Sequence, residues 1–164
     1  MSTPQRAAAS LMEYEVRAAR LEDAAFFADA WHAMMDELGM APDGFVPDWR
    51  ERLTAHFAAG IRDGSQGWFV AAAGSLSVGS AAAFLARSVT VEIQYLRGAT
   101  IAGVYVVPEH RRAGLARELV TRAIQWAREC GCRAVRLQAS PLGERLYRSL
   151  GFEDGGELIL KMGS

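Results

Sequence analysis

A chain of 164 residues, 51% hydrophobic and 23% charged, is long enough to bury one core and too short for two, which excludes a disordered or fibrous protein. A net charge of −1 argues against nucleic-acid binding through a basic surface, and the absence of a run of about 18 apolar residues argues against a membrane span. Arginine dominance over the single Lys161, an N-terminal stretch without a signal-peptide core, and two cysteines only one glycine apart together predict a bacterial, cytoplasmic protein with reduced thiols.

Residues 1–12 are small and polar and are expected to be a disordered tail before one domain over 13–164. "YEVRAA", Tyr14 to Ala19, reads as a short strand. The helix after it places Ala24, Phe27, Trp31, Met34, Met35 and Leu38 at helical spacing. "GMAPDGFVP" is a loop by its Gly and Pro content. A second helix, Asp48 to Arg62, carries Trp49, Leu53, Phe57 and Ile61 four apart on one stripe. "GWFVAAAGSLSVGSAAAFLA" is a hairpin turning at Gly74-Ser75, and Arg87 to Ala99 a loop. "TIAGVYVV" is a strand closed by Pro108. "GLARELVTRAIQWAREC" is a helix with Leu115, Leu119, Ala123, Ile124 and Ala127 inward, followed by strand "AVRLQA", short helix "PLGERLYRSL" and strand "ELILKM". This order describes an α/β domain of the α+β type. Its twisted, mostly antiparallel sheet has six to seven strands, about four helices and one strand-helix-strand crossover.

The crossover carries the chemistry. A helix N-terminus presents amide N–H groups that lack intrahelical partners, together with a partial positive charge, and so attracts phosphate. Before the third long helix stands "RRAGLA". Gly114 and Ala116 allow oxygens close to the backbone while Arg111 and Arg112 add full charge, which composes a pyrophosphate cradle. Neither a Gly-x-x-x-x-Gly-Lys-Ser/Thr loop nor a Gly-x-Gly-x-x-Gly turn is present, so the common nucleotide motifs do not apply.

The segment Arg111-Arg112-Ala113-Gly114-Leu115-Ala116, after a strand ending Val-x-Pro, resembles the Arg/Gln-x-x-Gly-x-Gly/Ala signature of the GCN5-related N-acetyltransferases (GNAT). "LQASPLGERLYRSLGFE" is similar to the strand, loop and helix that the family places after its cofactor helix, and the likeness extends from Tyr14 to Met162. It implies acetyl-CoA as acyl donor, with the pyrophosphate on the backbone of Arg112, Ala113, Gly114, Leu115, Ala116 and Arg117 and the Arg111 charge alongside. It further implies a bulged strand whose Val104, Tyr105 and Val106 pair with the pantetheine arm, a strand-end contact at Ser140, and Tyr147 as general acid to the leaving thiolate. The acceptor would be a small-molecule or peptide amine, attacked directly in a ternary complex; nucleic-acid and membrane partners are not implied, and a homodimer through strand edges is compatible with the family.

The residues support the tyrosine independently. Ser140-Pro141 is a good helix start, from which Leu142, Leu146 and Leu150 stack toward the core and Tyr147 falls on an adjoining face with Gly143, which is expected to leave open space above the phenol. A primary amine must lose a proton to attack a thioester, and the oxyanion needs a donor. The strand Thr100 to Val107 offers no carboxylate or histidine as base, which leaves Glu92, Glu109, His110 and the Tyr105 hydroxyl as candidates through water. That gap keeps a second reading open, a non-catalytic module that senses acyl-CoA. Trp31, Met34, Met35, Trp49 and Phe57 are core residues first, with Phe45 and Trp49 nearest an acceptor. Glu13, Asp36 and Glu37 could attract a cationic amine but read first as a solvated acidic face, and His32 and His56 lack a second ligand at metal spacing.

Overall fold

Between Val70 and Ala83 the chain is almost wholly Ala, Gly, Ser and Val, so a helix can lie very close to the sheet that this segment builds. The computed structural model describes residues 13–40, 45–86 and 98–156. Its sheet contains β1 (Tyr14–Ala18), β2 (Gly67–Ala73), β3 (Leu76–Leu85), β4 (Gly98–Val106) and β5 (Ala134–Leu137), in that spatial order. Neighbours are antiparallel except for β4 and β5, which run parallel because a helical crossover joins them. Five strands are thus present among the described residues. The expected last strand "ELILKM", the tail 1–12 and most of the 87–99 loop lie outside them. The loop ends two residues earlier than expected, since Gly98 and Ala99 already pair with β5.

Alternation along the strands separates two cores. On one face Phe69, Ala71, Val78, Ala81 and Ala83 pack with Leu115, Leu119, Val120 and Ala123 of α3 (Leu115–Glu129). Gly79 shows how close the approach is: a Cβ there would lie 3.1 Å from Leu119 Cδ1 and 3.2 Å from the Tyr105 carbonyl oxygen. On the other face Trp68 and Ala82 meet Phe27 of α1 (Ala24–Glu37) and Phe57 and Ile61 of α2 (Trp49–Asp63). Of the α2 stripe, no residue is fully buried, so it covers the second face as an outer layer. A last short helix, α4 (Glu144–Ser149), joins the α3 side through Leu146, Tyr147 and Leu150.

One polar tie holds the first strand, the first helix and the hairpin together. Asp23, 3% exposed at the start of α1, accepts from Arg17 Nη1 at 2.8 Å, Arg17 Nη2 at 3.2 Å, the Arg20 N–H at 2.7 Å and Ser77 Oγ at 2.9 Å. Burial pushes the Asp23 carboxyl up, but the Arg17, Arg20 and Ser77 hydrogen bonds outweigh it and hold it below the ordinary carboxylate range. A carboxylate depressed in the folded state stabilises the fold above its unfolded value of about 3.9, and that contribution disappears as pH falls through the folded value. Asp23→Asn should therefore cost about 2 kcal/mol at pH 7 in urea unfolding, and the gap to wild type should narrow as pH falls below the unfolded value of about 3.9; a pH-independent gap would contradict the ionic origin of the tie.

Candidate active site

β4 follows β3 along its length but pairs with β5 only from Gly98 to Ile101. The departure begins where Gly103 takes φ +62 and the β3 register slips between Ser80 and Ala82, so that one extra β4 residue is accommodated. This is a bulge of the kind that bends a strand away from its neighbour. Ser80 Oγ donates to the Gly103 carbonyl at 2.9 Å and pins it from the β3 side. Among the described residues, the β5 side of β4 beyond Ile101 has no strand partner. Val104 and Val106 turn into the α3 core, while Tyr105, also buried, lies against the Arg111 guanidinium, whose carbon is 5.5 Å from the ring centroid.

Past Val107 a short turn delivers the chain to α3. His110 N–H donates to the Val107 carbonyl at 2.9 Å, Arg112 sits at φ +66, and Gly114 takes φ +80 as N-cap. A left-handed arginine costs roughly 1–2 kcal/mol, and alternating hands of this kind turn successive N–H groups toward one point. The first backbone bond of α3 runs from Glu118 N–H to the Gly114 carbonyl at 3.1 Å, which leaves Leu115, Ala116 and Arg117 N–H groups without an intrahelical acceptor. No side chain caps them, and a Cβ on Gly114 would meet nothing within 4 Å. The turn is open, unencumbered backbone with Arg112 exposed beside it.

Arg111 departs from the expected arrangement. Its Nε donates to the Val106 carbonyl at 2.8 Å and its Nη2 to Glu37 Oε1 at 2.6 Å, so its charge is already matched and does not stand free beside the turn. Arg117 Nη2 donates to Ser149 Oγ at 2.6 Å and ties α3 to α4. The acidic end of α1 is therefore tied to this turn through Glu37, a contact that the sequence did not suggest.

Tyr147 lies in the same buried cluster as Val106, Leu115 and Leu119. It is 8% exposed, edge-on to Phe152 at 5.9 Å between centroids, and its hydroxyl has no hydrogen-bond partner among the described residues. Burial raises its pKa above the ordinary phenol value, so it stays protonated at neutral pH. Gly143 is not open space above the ring but the slot that the ring fills, since a Cβ there would lie 2.7 Å from Tyr147 Cε2. Ser140 accepts the Gly143 N–H on its Oγ at 3.3 Å, and its carbonyl accepts both Gly143 and Glu144 N–H at 3.0 Å. That tightened first turn rotates Leu142 outward. It is 83% exposed, against the expectation of a core position, and only Leu146 and Leu150 continue the inward stripe.

Of the candidate bases, Glu92 lies outside the described residues and Glu109 is exposed. His110 Nδ1 is hydrogen-bonded to the Tyr14 hydroxyl at 3.1 Å. Burial and then the nearby Glu37 charge raise the Tyr105 pKa, against which Arg111 acts more weakly, so its phenol is a poor base. Near the α1–α2 connection His32 stacks on Trp49 at 4.3 Å, with Phe45 edge-on to Trp49 at 5.3 Å. Among the described residues no three His, Cys, Asp or Glu side chains gather at metal-binding distance, and no helix is long and apolar enough to cross a membrane.

Comparison with known proteins agrees with this geometry. The family model "Acetyltransferase (GNAT) family" matches residues 27–152. An aminoglycoside N(6')-acetyltransferase type 1 of Salmonella typhimurium is 25% identical over 142 residues, covering 80% of this chain and 88% of that protein. A predicted acetyltransferase from Clostridium acetobutylicum, solved with acetyl-CoA, superposes with a TM-score of 0.78 at 21% identity over 92% of this chain and 96% of its own. Aminoglycoside N-acetyltransferase AAC(6')-Iy, solved with CoA, gives 0.68 at 19% identity over 92% and 95%; both structural likenesses are of fold. The parted strand, the open turn at the start of α3 and the family match over most of the chain meet in one conclusion: the protein belongs to the acetyltransferase (GNAT) family and is an acyltransferase that draws on acetyl-CoA.

Proposed function

We propose that the chain transfers the acetyl group of acetyl-CoA to a primary amine of a small molecule, with Tyr147 as the proton donor to the departing thiol. The observation that carries this reading is the buried, protonated Tyr147 phenol, without a partner among the described residues and packed in one cluster with β4 and α3. The pyrophosphate of the donor rests on the N–H groups from Arg112 to Arg117, including Ala113, Gly114, Leu115 and Ala116, where the helix start supplies partial positive charge and Arg112 a full one. The free edge of β4 at Val104, Tyr105 and Val106 pairs with the amide-bearing pantetheine arm as a further strand would. Ser140 contributes by capping the turn into α4, which sets where Tyr147 sits.

In the reaction a carbon–nitrogen bond forms as the amine lone pair attacks the thioester carbonyl, and the carbon–sulfur bond breaks. The Tyr147 hydroxyl protonates the sulfur, and the excess proton on nitrogen leaves through water, since no described side chain is both free and basic on this strand. A β4 backbone N–H steadies the transient oxyanion. The acceptor as a small-molecule amine is supported by the activity named for the relative at 25% identity, an aminoglycoside N(6')-acetyltransferase. Thiol release from acetyl-CoA across a panel of aminoglycosides, polyamines, aryl amines, amino acids and peptides tests the acceptor directly.

Three variants test the site. Tyr147→Phe should lower kcat about 100-fold while acetyl-CoA affinity by calorimetry stays unchanged, and an undiminished rate removes the acid role. Gly143→Ala should act on the same step without touching the hydroxyl: the added methyl displaces the ring, so kcat falls at least about tenfold. Gly114→Leu should weaken CoA binding by more than about 100-fold, because a branched side chain both strains φ +80 and fills the space over the helix start; retained affinity would place the phosphates elsewhere.

A further inference from the structure

We propose that Glu37 and Arg111 form a positioning hook through which occupancy of the donor site sets the C-terminal turn of α1, on the acceptor side of the molecule. The inference rests on the proposed donor site, and Glu37 is an acid in an unfavourable place. α1 ends in Asp36 and Glu37 with no basic residue in its last turn, where the helix carries partial negative charge. Local energetics therefore disfavour Glu37. Its compensation comes from Arg111, 74 residues away in sequence, at 2.6 Å.

Arg111 is equally committed on its other side. Nε donates to the carbonyl of Val106, the last residue of β4, at 2.8 Å, and the guanidinium lies over the buried Tyr105 ring. One planar cation thus joins three things: the end of the bulged strand, the aromatic ring next to it, and the end of α1. Its own backbone runs directly into Arg112, the single described non-glycine residue with positive φ. A ligand that fixes the N–H groups from Arg112 onward fixes the Arg111 backbone, and with it the guanidinium and Glu37. Coupling of this type is reciprocal: whatever orders α1's last turn tightens the donor site by the same factor.

The reporters already exist in α1. Leu38, Gly39 and Met40 N–H groups donate to the Met34, Asp36 and Met35 carbonyls, so their exchange with solvent reads how firmly that turn is held. Amide hydrogen exchange with and without CoA, on wild type and Glu37→Gln, tests the hook. CoA should slow exchange several-fold both at 115–118 and at 34–40 in wild type. In Glu37→Gln the slowing at 115–118 should persist, with CoA affinity within about threefold by calorimetry and an unchanged melting temperature, while the slowing at 34–40 disappears. The hook is overturned if residues 34–40 do not respond to CoA in wild type, or if they still respond in the variant. Absence of CoA binding to wild type would instead overturn the donor site and the hook with it.

Discussion

Everything at this site depends on one failure of strand pairing. β4 keeps β3 as a neighbour throughout but leaves β5 after Ile101, and Gly103 is the residue at which it bends. Unpaired backbone polar groups inside a domain are costly, so a strand edge held open in this way offers hydrogen-bonding groups to whatever lies beside it. The edge is kept in place from behind, by Ser80 on the Gly103 carbonyl, and from its end, by Arg111 on the Val106 carbonyl. The cradle at the start of α3, the slot for Tyr147 and the reach of α1 all take their positions from that strand.

Local patterns in the chain revealed more of this than long-range ones. The open turn was legible because Gly114 and Ala116 at the head of an amphipathic helix have few other uses, and Tyr147 because its neighbours Leu146, Leu150, Gly151 and Phe152 compose a distinctive ending to the short helix. Leu142 was misplaced for a physical reason: equal spacing by four presumes an α-helical turn, and the chain from Ser140 to Gly143 is wound more tightly. The pairing of Arg111 was not legible because two adjacent arginines look alike in sequence, and only the distant Glu37 and the Val106 carbonyl distinguish them. The signal available beforehand was the uncompensated acidic end of α1. Asp23, which ties β1, α1 and the hairpin, gave no such signal, since its partners are a strand arginine, a loop amide and a hairpin serine.

The two faces of the sheet divide labour. The α3 face holds Leu115, Leu119, Val120 and the small residues of β2 and β3, together with Phe69 and Tyr147. The opposite face is aromatic, with Phe27, Phe57 and Phe84 each edge-on to Trp68 and Phe27 tilted against Phe57, and it supports the helices that end at Glu37 and begin at Trp49. A central strand residue therefore faces one side or the other according to its parity, and Tyr105 and Val106, adjacent on β4, face opposite sides of the sheet.

Of the sheet positions beneath α3, Ala71, Gly79, Ala81 and Ala83 possess no rotatable side-chain torsion that shifts their contact surface, with Phe69 and Val78 beside them. At those four positions the sheet side of the contact is backbone and methyl groups alone, and Leu119 is the side chain that reaches down to meet it. The start of α3 is thereby held close to the strand that precedes it, and Arg112, exposed at the turn, takes no part in that spacing.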